Sequence, residues 1–235
     1  MSDNIATIAD NLARVNERVA NATTAAGRDP ASVRLVGVTK YVGPVEAAAL
    51  LSVGCPLLGE SRPQQLWDKA AEASLAEARW HMIGHLQRNK VRRTLPIVDL
   101  IHSVDSLRLA NSIDSIAEEL GLRKQILLEV NCSGDLEKHG LTADGLKELL
   151  PQLAELSHIE VTGLMTMAAR EGGASAAAEN FAALRQLRDS VASECPPNVN
   201  LTELSMGMSH DFETAILEGA TIVRVGSLLF DGVCR

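Results

Sequence analysis

Eight short runs of apolar, strand-forming residues recur along the chain, and between successive runs lies a segment with helical character. The runs are residues 34–39, 57–60, 79–84, 99–104, 125–130, 160–165, 201–205 and 221–225. The intervening segments at 44–52, 63–76, 86–94, 106–119, 142–155, 178–193 and 211–218 predict helices, several with helix-start or helix-stop residues. Pro44 suits a first turn, Thr142 can cap, and Gly54, Gly121 and Gly219 sit where a helix ends. Strands separated by helices must run parallel, with right-handed crossovers. One more helix precedes them at 4–26, where Ile5, Ile8, Leu12, Val15, Val19 and Ala22 form one stripe. Eight units in 235 residues fit a closed (β/α)8 TIM barrel in a single domain, 1–235. An open doubly wound sheet is the competing architecture.

Composition narrows the function classes. Aromatic residues are 3% of the chain against 46% hydrophobic, so the core is aliphatic. A net charge of -8 leaves little basic surface to neutralise phosphates, which argues against nucleic acid. The local cluster Arg88-Asn-Lys-Val-Arg-Arg93 reads as a solvated helix face. Cys55, Cys132, Cys195 and Cys234 make no paired spacing, which fits a reduced, cytoplasmic protein. No apolar run approaches the roughly 18 residues of a membrane span.

In such a barrel chemistry sits at the C-terminal strand ends. The first run, Arg34-Leu-Val-Gly-Val-Thr-Lys40, ends in a lysine. Lys40 either emerges into solvent or enters a site as an amine able to form a Schiff base with a carbonyl compound. Other strand ends carry Glu60-Ser61, Gly84-His85, His102-Ser-Val-Asp105, Asn131 and Met165-Thr-Met167. Ser205-Met206-Gly207-Met208-Ser209 and Gly226-Ser227 follow the last two strands, where barrels of this type bind phosphate; each is also an ordinary turn. Arg224 shares a face with Gly226, and points either into the mouth or out to solvent. His81 and His85 are four apart, but a strand and Gly84 intervene, so no metal site is read; His81 is expected to pack with Trp80.

Several segments together resemble a known family. Val38-Thr-Lys40, Gly59-Glu60, Trp80-His-Met-Ile-Gly84, Leu86-Gln87, Asn89-Lys90, His102-Ser-Val-Asp105, Gly163-Leu-Met165, Leu204-Ser-Met-Gly-Met-Ser209 and Val223-Arg-Val-Gly226 occur in order. The pattern is similar to the pyridoxal phosphate homeostasis (YggS, or proline-synthetase co-transcribed) family. That resemblance implies an alanine racemase N-terminal domain-like barrel binding pyridoxal 5'-phosphate (PLP). It implies Lys40 as the Schiff-base lysine. It implies Ser205, Met206, Gly207, Gly226 and Ser227 around the phosphate, and Arg224 near the pyridine nitrogen. A cation there keeps that nitrogen unprotonated, which suits carrying the cofactor better than catalysis. Ser61 stands where the family has asparagine, and Ser227 where threonine is common.

The implied function is intracellular PLP (vitamin B6) homeostasis without turnover, by a monomer or weak dimer that passes PLP to PLP-dependent apoenzymes. Two alternatives stand beside it. An amino acid racemase needs a second base from an additional domain, for which a chain ending at Arg235 is expected to have no room; its one tyrosine is Tyr41. A lysine-dependent aldolase fits the barrel but not the family pattern.

Overall fold

The computed structural model describes residues 2–135, 139–169 and 171–233, with the side chains of Ser2 and Asp3 left aside; Cys234 lies outside the described residues. Eight parallel strands close into a barrel in sequence order: β1 (Arg34–Val38), β2 (Leu57–Glu60), β3 (Arg79–Met82), β4 (Val98–Val104), β5 (Lys124–Glu129), β6 (Ile159–Met165), β7 (Val199–Ser205) and β8 (Ile222–Val225). Pairing of β8 with β1, with Val36 opposite Arg224, rules out the open sheet.

Helices follow each of the first seven strands: α2 (Pro44–Ser52), α3 (Pro63–Ala70), α4 (Arg88–Thr94), α5 (Leu107–Glu119), α6 (Ala143–Leu149), α7 (Gly173–Val191) and α8 (Phe212–Leu217). The preceding helix, α1 (Ser2–Ala25), buries Ile8, Leu12, Val15, Val19 and Ala22 along one side. Ile5 is 43% exposed and stands outside that contact. Caps explain several starts. Glu46 accepts from the Gly43 N–H at 3.0 Å, and Thr142 from the Gly145 N–H at 3.0 Å.

Two helices are shorter than their sequence pattern predicts. Pro151 lacks an N–H and its ring clashes with the preceding turn, so α6 gives way to a 3-10 turn over Leu150–Glu155. After α3 the chain makes another 3-10 turn, Ala73–Leu75, which buries Leu75.

Alternation of side chains along the strands makes two shells. Outward residues such as Leu58, Trp80, Ile101, Leu128, Val223 and Val225 pack under the helices in the main core. Inward, Val36, Leu100, Leu127, Met165 and Ile222 form a dry plug. Two residues further along β4, β5 and β8 the inward positions are His102, Glu129 and Arg224. The interior thus turns from apolar to polar toward the C-terminal ends, which is where a site can form.

Candidate functional site

A cavity of about 320 Å³ opens at the C-terminal ends of the strands and lies in the usual size range of small-molecule sites, about 300–1,000 Å³. Lys40, Arg224, Gly226 and Ser227 line it together. Lys40 leaves β1 through Thr39 and is half-buried, its Nζ 4.9 Å from the centre of the Tyr41 ring. Ser205, Met206 and Gly207 are not on the wall. Ser205 and Met206 are fully buried behind it. Gly207 adopts φ +92°, and a Cβ there would stand 2.6 Å from the Ala215 Cβ and 2.8 Å from the Phe212 Cα. Its part is to let the loop after β7 pack on α8.

A buried polar chain holds Arg224. Its Nη1 donates to Ser205 Oγ at 2.6 Å and its Nη2 to the Thr166 carbonyl at 3.0 Å. Ser205 Oγ also lies 2.8 Å from His102 Nδ1, and His102 Nε2 lies 3.0 Å from His81 Nδ1. One set of tautomers satisfies the chain: Arg224 donates to Ser205, Ser205 gives its proton to His102 Nδ1, and His102 donates through Nε2 to His81. His81 therefore packs against His102, with ring centroids 5.1 Å apart, and not with Trp80. Neighbouring residues on a strand face opposite ways, and Trp80 is in the outer shell.

Burial keeps both imidazoles neutral. Desolvation, then the positive field of Arg34, pushes His81 down to about 4. His102 is held well below its ordinary value by burial first, then by His81 and Arg224. Burial also lowers Arg224 to about 10, against the opposing fields of Asp211 and Glu129, and it stays charged at neutral pH. One fixed cation thus faces the cavity, with two of its five N–H groups committed to the wall.

A second buried set fixes the backbone just before Lys40. Lys69 of α3 is paired with Glu60 and donates to the Thr39 carbonyl at 2.7 Å, while the Thr39 hydroxyl donates to Glu60 at 2.7 Å. Glu60 is therefore beneath the site, whereas Ser61, next in sequence, lines it. A Cβ on Gly84 would fall 2.3 Å from the Ser61 carbonyl oxygen, so the glycine lets β3 close against this loop.

Several lining residues were not singled out by the sequence. Glu129 is one; burial, then the nearby Asp105 carboxylate, raises its carboxyl to about 6. Ser209, which closes the segment read as phosphate-suited, does line the cavity and accepts from the Gly226 N–H at 3.2 Å, linking the loops after β7 and β8. Glu129 could have been found by parity, two positions beyond Leu127. The strand-end rule pointed instead to Asn131, whose side chain binds its own loop at Ser133 and Asp135.

The fold and its lysine-bearing mouth define a (β/α)8 barrel of the alanine racemase type, and the family model for the alanine racemase N-terminal domain matches residues 5–232. A pyridoxal phosphate homeostasis protein of Aquifex aeolicus is 41% identical over 221 residues, 94% of this chain and 96% of that protein. A crystal structure of a protein from Bifidobacterium adolescentis superposes with a TM-score of 0.92 at 36% identity, covering 97% and 96% of the two chains. PipY of Synechococcus elongatus, in its structure with PLP bound, superposes with a TM-score of 0.84 at 36% identity, covering 95% and 99%. The chain belongs to the pyridoxal phosphate homeostasis protein family.

Proposed function

We propose that this protein binds PLP in the cavity at the barrel mouth and serves intracellular vitamin B6 homeostasis in the cytoplasm as a single-domain carrier. The observation that carries the reading is the pairing of one amine and one fixed guanidinium, Lys40 and Arg224, across a cavity of cofactor size. The residues present fit the group. Lys40 is the amine that engages the aldehyde. Ser209 and Ser227 supply hydroxyl groups, with Gly226 between the two loops after β7 and β8, for a phosphate. Ser205, Met206 and Gly207 shape this region from behind.

Bound PLP supplies an electron sink whose strength depends on protonation of its ring nitrogen. Arg224, donating from a position fixed by Ser205 and Thr166, opposes that protonation because a second positive charge beside it is unfavourable. That favours carriage of the cofactor over its use in turnover. Tyr41, Met167 and Met208 are exposed at the rim and offer apolar surface to an apoenzyme receiving the cofactor.

Borohydride reduction of the PLP-loaded protein, followed by peptide mass spectrometry, is expected to find phosphopyridoxyl on Lys40. Lys40→Ala is expected to lose both the label and the visible absorption. A label on Lys90 instead, or none, overturns the assignment. Incubation with L-alanine is expected to give no racemisation above background; turnover that vanishes in Lys40→Ala would make the protein an enzyme.

A further inference from the structure

Beside the cofactor cavity lies a cluster that the proposed function does not use. Asp105 follows β4, and its Oδ2 is 3.6 Å from His85 Nδ1 and 3.8 Å from His139 Nδ1. The three ligand atoms all lie within 4.8 Å of one another. Asp105 is oriented for this: the Ser106 hydroxyl donates to its other oxygen, Oδ1, at 3.2 Å, leaving Oδ2 to the two imidazoles. His85 and His139 both face the cavity, while His85 and Asp105 also line a neighbouring groove of about 450 Å³.

We propose that His85, Asp105 and His139 form a binding site for a divalent transition metal ion, with Zn2+ as its type, on the rim of the barrel mouth. Distances come first. Metal–ligand bonds of about 2.0–2.1 Å in a tetrahedron put neighbouring donor atoms about 3.3 Å apart. The two nitrogen–oxygen spans exceed that by only about 0.3–0.5 Å. The main adjustment is in the rings. They are stacked at 4.6 Å with a 17° interplanar angle, so their lone pairs lie in nearly parallel planes and the rings must tilt to share an ion. His139 can do this cheaply, because its side chain is 63% exposed and has room to turn.

Donor chemistry selects the ion. Two imidazoles and one carboxylate suit Zn2+ and similar borderline ions. Ca2+ and Mg2+ prefer all-oxygen sites. Three protein ligands leave a coordination position open to water or a small ligand. The sequence spacing hid this set, since it pairs His85 with residues 20 and 54 positions away and not with His81. Ser106, holding the unused carboxylate oxygen, supplies the outer support that such sites have.

The test is titration of chelator-stripped, PLP-free protein with Zn2+ against a chromophoric indicator, in phosphate-free buffer at neutral pH. Wild type is expected to bind one equivalent with micromolar or tighter affinity, and Ca2+ is expected not to compete. Asp105→Asn and His139→Ala are each expected to weaken binding at least about tenfold, with far-UV circular dichroism and melting unchanged. His210→Ala, a cavity histidine outside the cluster, is expected to bind as wild type does. Binding that survives both cluster substitutions, binding removed by cysteine alkylation, or no saturable binding in wild type overturns the site.

Discussion

Ser205 bridges Arg224 and His102. Its hydroxyl accepts from Arg224 and donates to His102 in an interior without water access. Ser205→Ala removes both bonds and leaves a guanidinium N–H and an imidazole nitrogen unpaired. The expected loss is about 1–3 kcal/mol, measured by urea unfolding of the cofactor-free protein. A loss within about 0.5 kcal/mol would mean that the chain of donors does not constrain Arg224. The sequence marked Ser205 as a site residue because of the glycine and hydroxyls around it. It could not show the surroundings, because the partners are 19 and 103 residues away and meet only when the barrel forms. Lys40 stood out for the opposite reason, although only the other strand ends and loops turned the reading from solvent toward a site. A lysine ending an apolar strand is anomalous within seven residues of sequence.

Among elements, α3 has a task that its amphipathic pattern conceals. Lys69 turns inward from this helix and joins the ends of β1 and β2 through Glu60 and the Thr39 carbonyl. Lys69→Met keeps the length of the side chain but strands a buried carboxylate. The expected cost is about 3–5 kcal/mol, read as a lower urea midpoint with an unchanged slope. The double variant Glu60→Gln/Lys69→Met is expected to recover part of it, since the uncompensated charge is gone. No lysine in a run of helix formers announces such a role, and residues 63–76 read simply as a helix. Strand and helix order was legible because it rests on short-range pattern. The ends of α3 and α6 were not, because Leu75 is drawn into the core, and Pro151 weighs more than the apolar stripe through it.

At the scale of the whole molecule, the polar layer inside the barrel sets how the fold responds to acid. His81 has its ordinary value of 6.5 when unfolded and about 4 when folded. A depressed folded value contributes stability that is present above pH 6.5 and lost as pH falls toward 4. The contribution of His81 is at most about 3 kcal/mol, and His102 acts in the same direction. Glu129 has the opposite sign, because its value rises from 4.5 to about 6 on folding and its contribution fades as pH rises through that window. Two histidines outweigh one carboxyl, so thermal unfolding is expected to shift to lower temperature between pH 6.5 and 4. His81→Gln should flatten that dependence; an equal slope in the variant would refute the account. The count of eight units favoured a closed ring but also fits a long open sheet, and the pairing of β8 with β1 decides between them.

The pairing of β8 with β1 has one further consequence. Lys40 follows the first strand and Arg224 lies in the last, and they become neighbours only through that final seam. Asn11 of α1 secures the same seam from outside by donating to the carbonyls of Leu229 and Asp231. A nascent chain still lacking its eighth strand has the amine but no guanidinium to face it. Possession of a complete pocket is therefore the mark of a closed ring, acquired only when the first and last strands have paired.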